Sequence, residues 1–123
     1  MKRSLLLLPL LSLAVAPAAM ASTASPEASS SAKSCPTPRG FMVGPFFADQ
    51  VRARDTTCRF ARILAKRWGR TRDCVMPDGG PSDRVCQVRR WRCVYRDIPD
   101  FEGGRTTCRT AGGRKAVGFR FGS

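Results

Sequence analysis

No histidine occurs in the sequence. That removes the commonest general acid–base and the commonest partner of a nucleophilic serine or cysteine. From Cys35 onward the only serines are Ser82 and Ser123. No CxxC pair is present, so the usual thiolate and imidazole sets for zinc are missing. No glycine-rich loop follows a strand and opens a helix, which excludes a nucleotide cradle. Acidic residues are scarce, with nine against 22 lysines and arginines. These absences point away from an enzyme, a cofactor and a bound metal.

The only long apolar run, Leu5 to Ala16, is interrupted by Pro9 and is too short to span a bilayer. It follows Lys2 and Arg3 and precedes the small residues Ala19 and Ala21, which predicts a signal peptide over residues 1–21. No transmembrane segment is expected after cleavage, and no cysteine sits where a lipoprotein would carry one. Residues 22–34, rich in Ser, Ala and Pro, have little to bury and read as a disordered linker. A single basic domain over 35–123 remains, short enough that its core needs covalent support. Cys35, Cys58, Cys74, Cys86, Cys93 and Cys108 supply it. An even number in a small exported chain reads as three disulfides, with about 15 pairings open.

Net charge is +13, and 18 of the 22 basic residues are arginine. GC-rich codons account for arginine over lysine but not for the excess of base over acid. A field of this sign attracts anionic cell-wall or extracellular polymers and anionic lipid heads.

Cys58 to Trp68 has helical period: Cys58, Phe60, Ala61, Leu64, Ala65 and Trp68 share one face, and Arg59, Arg62, Lys66 and Arg70 the other. Asp55, Thr56 and Thr57 are candidate N-caps and Gly69 a natural stop. Phe41 to Cys58 opens with an apolar patch around Pro45 that reads as a short edge strand or irregular packed segment, and Val51 to Asp55 reads as a second extended piece. Gly69 to Cys86 reads as loop. Cys86 to Asp97 alternates as one strand, with Trp91, Cys93 and Tyr95 on one side and Arg90, Arg92 and Arg96 on the other. Arg105 to Phe121 reads as a hairpin with a tight two-residue turn at Gly112-Gly113. The expected fold is therefore α+β, one amphipathic helix on an antiparallel sheet of about three strands. Its inner side would carry Trp91, Tyr95, Phe119 and Phe121, and its outer side Arg90, Arg92, Arg96, Arg109 and Arg120.

The order "TTCRFAR", then "WRC", then "TTCRTAGGRKAVGFRF" resembles small secreted cysteine-containing proteins common in actinobacteria, with no assigned activity. The resemblance spans Val51 to Phe121. It departs at Arg90, where those proteins have glycine, and in the extra Cys35 and Cys86. It implies a secreted, disulfide-linked α+β domain and carries over no functional residue.

Two function classes follow. One is a non-enzymatic cationic domain that binds anionic envelope polymers through Arg59, Arg62, Lys66 and Arg70, or through Arg90, Arg92, Arg96 and Arg120. The separation of aromatics from arginines argues against stacking on nucleic-acid bases, so no specific nucleic acid is expected. The other is an effector or inhibitor acting on a protein or membrane target. The loop Val75 to Pro81 would be its contact, or Ile63 a lone apolar foot for a membrane. Asp97, Asp100 and Glu102 are the one carboxylate cluster, without the spacing of a calcium loop.

Overall fold

The computed structural model describes residues 31–123. The expected leader, its cleavage site and linker residues 22–30 lie outside them. Eight elements follow in order: β1 (Lys33–Ser34), β2 (Met42–Val43), β3 (Phe46–Arg54), α1 (Cys58–Arg70), β4 (Val85–Val88), β5 (Trp91–Asp97), β6 (Gly103–Thr110) and β7 (Ala116–Gly122). β1 falls within the last residues read as linker, so the sheet begins two residues before Cys35.

The expectation of about three strands is wrong. A single antiparallel sheet of seven strands runs in the order β1-β3-β7-β6-β5-β4, with β2 also paired to β3. The last four strands form a meander. Its final strand, β7, returns to pair with β3, the strand that precedes the helix.

Besides β1 and β2, three local features depart from the sequence reading. Phe46–Arg54 is one continuous strand of nine residues, broken in pattern by a bulge between Asp49 and Arg52. Cys86 to Asp97 is not one strand but a hairpin: Val88 pairs with Trp91, and Arg89-Arg90 makes the turn. Arg89 adopts positive φ (54°), a conformation that costs an L-residue about 1–2 kcal/mol. Arg90 is thus a turn residue and not part of the outer strand row. The connection at Gly112-Gly113 is five residues, 111–115, although both glycines do take positive φ (84° and 70°).

The helix forms as its period predicts, and Thr57 is the cap that operates. Its hydroxyl accepts from the Phe60 amide at 3.1 Å. Gly69 does not end it. The helix runs on to Arg70, and Thr71 closes it by donating its amide to the Trp68 carbonyl and its hydroxyl to the Arg67 carbonyl. Gly69 is required for a different reason. A Cβ there would stand 2.3 Å from the amide nitrogen of Gly44, in the β2–β3 turn that packs against the helix.

Helix residues Ala61, Leu64, Ala65 and Trp68 are buried on the sheet's inner face. Trp68 meets Phe119 at 5.4 Å and Phe121 at 4.9 Å between ring centroids, and Phe60 meets Trp91 at 5.4 Å. Each large apolar side chain buried in this way contributes about 1.5–3 kcal/mol. The disulfides pair neighbours in sequence: Cys35–Cys58 ties the N-terminal segment to the helix start, Cys74–Cys86 closes the loop that leads into β4, and Cys93–Cys108 joins β5 to β6. No helix of the described residues is long and apolar enough to cross a membrane.

Candidate polyanion-binding face

Strand alternation sends β5, β6 and β7 side chains to opposite sides of the sheet, and the helix covers one side only. The other side carries arginines in register. Arg92 on β5 is opposite Arg109 on β6, Arg96 is opposite Arg105, and Arg105 is in turn opposite Arg120 on β7. Like charges directly opposed across a ladder are destabilising. Among the described residues, Arg92, Arg96 and Arg109 have no ion pair to offset this. All three are exposed.

Between these rows lies an uncharged one. Val85, Val94, Thr107 and Gly118 are successive cross-strand partners from β4 to β7 and end at Arg52 on β3. The row toward the Gly112-Gly113 loop reads Gln87, Arg92, Arg109, Ala116 and Arg54. The row toward the β5–β6 turn reads Arg96, Arg105, Arg120 and Asp49. The β4–β6 part of this surface is concave, a groove of about 910 Å³ walled by Ile98 and Pro99 at one end and by Thr110 to Gly113 at the other.

Some of the arginines are held. Arg120 donates from Nε to Asp49 Oδ1 at 2.7 Å and from Nη2 to Oδ2, a two-pronged pair. That bond is the largest influence on the Asp49 carboxyl; burial opposes it, the charges of Arg120 and Arg105 add to it, and the pKa lies below its ordinary value. Arg105 donates to the Gln50 side chain at 2.6 Å, and Arg54 to the Gly113 carbonyl at 2.6 Å. Asp97 is the only carboxylate lining the groove. It accepts from the Tyr95 hydroxyl and pairs with Arg84 at 3.9 Å.

The structure separates the two arginine sets read from the sequence. Arg59, Arg62, Lys66 and Arg70 belong to the helix layer, on the opposite side of the sheet from the groove. Arg62 donates to the Pro36 carbonyl at 2.9 Å, and the Lys66 ammonium stands 5.4 Å from the centre of the Phe41 ring. Both therefore hold the N-terminal segment onto the helix. Arg92, Arg96 and Arg120 share the sheet face, and Arg90 stands at its margin in the hairpin turn while still lining the groove. Sequence reasoning missed Arg105, Arg54 and Arg52. The period-two pattern Arg105, Thr107, Arg109 was the available signal for the first of these.

The Asp97, Asp100 and Glu102 cluster is dispersed by the turn, where Asp100 takes positive φ (60°). Among the described residues no group of three His, Cys, Asp or Glu is placed to hold a metal ion. The loop from Cys74 to Cys86 is closed by its disulfide and by a bridge between Val75 and Pro81, and it leaves Met76 46% exposed. No family model, curated protein or solved structure matches the chain.

Proposed function

We propose that this chain is an exported, non-enzymatic cationic domain that binds anionic polymers of the cell envelope or its surroundings through the arginine face of its sheet. One observation carries the reading: Arg92 opposes Arg109, and Arg96 opposes Arg105, on a concave solvent-facing surface. A stabilising role does not explain such pairs, since each costs folding free energy. An anion placed between two guanidinium groups reverses the sign of that cost. Three disulfides support an oxidising compartment outside the cytoplasm.

The test is retention of the oxidised chain on anionic polymer or cell-wall material across a salt gradient. Affinity should fall steeply between ~50 mM and ~500 mM sodium chloride, because bound cations are released when phosphates are neutralised. Equal retention at both salt strengths would discredit the reading. The effector or inhibitor reading draws support from the closed loop that presents Met76. It requires instead a stoichiometric protein complex that survives the higher salt.

A further inference from the structure

The arginine face is a trough as well as a patch, and its shape restricts the ligand. Arg92 and Arg96 are four residues apart on β5, as are Arg105 and Arg109 on β6, so the two arginine rows stand about 14 Å apart at ~3.4 Å per residue. The floor between them is Val94 and Thr107, half-buried side chains without charge, and its row continues beyond the groove over Gly118 on β7. The row crosses five strands, a run of about 19 Å at ~4.8 Å per strand spacing. Ile98-Pro99 and Thr110 to Gly113 line the groove at the two strand ends, which leaves the direction across the strands for an extended ligand.

The floor also lacks the groups that other polyanions need. No aromatic side chain lies in the Val85, Val94, Thr107, Gly118 row, so nucleobases have nothing to stack on. Thr107 is the one hydroxyl in that row, and the amide of Gln87 and the carboxylate of Asp97 line the groove outside it, so sugar hydroxyls lying over the row meet few partners. Guanidinium groups from both rows form forks suited to oxyanions.

Resting on the polyanion reading above, we infer that the ligand is a single unbranched phosphate-linked chain with small linking units. It lies across the strands over Val94, Thr107 and Gly118, with Arg92 and Arg109 on one side of it and Arg96 and Arg105 on the other. Arg52, at the end of the floor row, meets the chain as it leaves over β3.

Inorganic polyphosphate is the probe, titrated calorimetrically into the oxidised full-length chain, with duplex DNA and anionic phospholipid vesicles as comparators at equal phosphate. Thr107→Trp fills the groove and Gly118→Leu obstructs the row beyond it on β7, neither changing the charge. A Cβ at Gly118 meets nothing nearer than 3.8 Å, so the second variant is sterically tolerated if the first misfolds. Each should weaken polyphosphate binding by roughly tenfold, and the wild-type salt slope should be about −3 on logarithmic axes, near −0.7 for each of four or five phosphates. Arg59→Ala with Lys66→Ala, on the helix, should leave affinity within about twofold, having removed only distant, screened charges.

Full affinity in both obstructing variants, with a loss in Arg92→Ala and Arg109→Ala, would overturn the trough while leaving the broader polyanion reading standing. Affinity unchanged in every variant would remove both. Tighter binding to duplex DNA or to vesicles than to polyphosphate would overturn the single-chain ligand.

Discussion

Arg92 and Arg109 stand opposite each other across the β5–β6 ladder, one position from Cys93 and Cys108, which also stand opposite each other and are joined. The arginines face solvent and the cystine faces the core. A covalent tie therefore spans the two strands beside the point where their charges repel. The same strand pair that presents the candidate site is the one whose pairing is covalently fixed.

Removing one member of an arginine pair should raise stability and lower binding together. Arg109→Thr relieves the repulsion with Arg92 and places a good strand former on β6. Thermal unfolding should show a gain of up to about 1 kcal/mol, and the variant should elute from an anionic polymer at lower salt than the wild type. A variant that is less stable yet equally well retained would contradict this account of the face.

Loss of the tie should act in the opposite sense. Cys93 and Cys108 enclose a loop with a sequence separation of 15 residues. Replacing both by alanine should cost about 2–4 kcal/mol, read from denaturant unfolding of the oxidised protein. Raising the salt concentration should recover part of that loss, because the repulsion it screens is no longer restrained by the cystine.

Thr106 presents the reverse case, a polar group in the wrong surroundings. It is fully buried between Tyr95 and Phe119, and among the described residues its hydroxyl has no hydrogen-bond partner. An unsatisfied buried hydroxyl costs about 1–3 kcal/mol. Thr106→Val keeps the branched shape and should stabilise the domain by about 1 kcal/mol, or ~4–8 °C in Tm for a domain of this size. A destabilised valine variant would mean that the hydroxyl is satisfied in solution.

Tyr95 is the single tyrosine, so its ionisation can be followed spectrophotometrically without interference from another phenol. Burial first, and then its hydrogen bond to Asp97, push its pKa up to about 12. Since the folded value lies above the ordinary value of 10.0, the unfolded chain releases the proton first. The stabilising contribution is complete below the unfolded pKa and is lost as pH rises from there through the folded value. The ultraviolet titration should therefore be delayed to about pH 12 in the native protein. In Asp97→Asn it should fall only part of the way back, because burial, the larger cause, is untouched. A native titration at the ordinary tyrosine value would refute the assignment.

The sequence was most legible where one period ran unbroken. Cys58 to Arg70 repeats at helical spacing, and Trp91, Cys93 and Tyr95, like Val117, Phe119 and Phe121, repeat at two. β3 was legible only from Val51 on, because its inward residues are Ala48, Val51 and Ala53, and the bulge beside Gln50 inserts a step of three. β4 was missed because the turn that follows it is Arg89-Arg90, without the glycine or asparagine that marks a two-residue hairpin. With β1 read as linker, β2 and part of β3 left as extended pieces outside the sheet, and β4 merged into β5, a seven-stranded sheet was read as about three strands.

The chain by itself settles which side of each regular strand is apolar and which is arginine, because side chains in an extended backbone alternate without reference to any neighbour. It settles the excess of positive charge and the reliance of a small core on cystines. It does not settle which arginine faces which. That depends on register, a property of two strands together, fixed here by the Arg89-Arg90 turn, the β6–β7 connection and the Cys93–Cys108 link. Only once those strands align do scattered arginines become two facing rows with a floor between them.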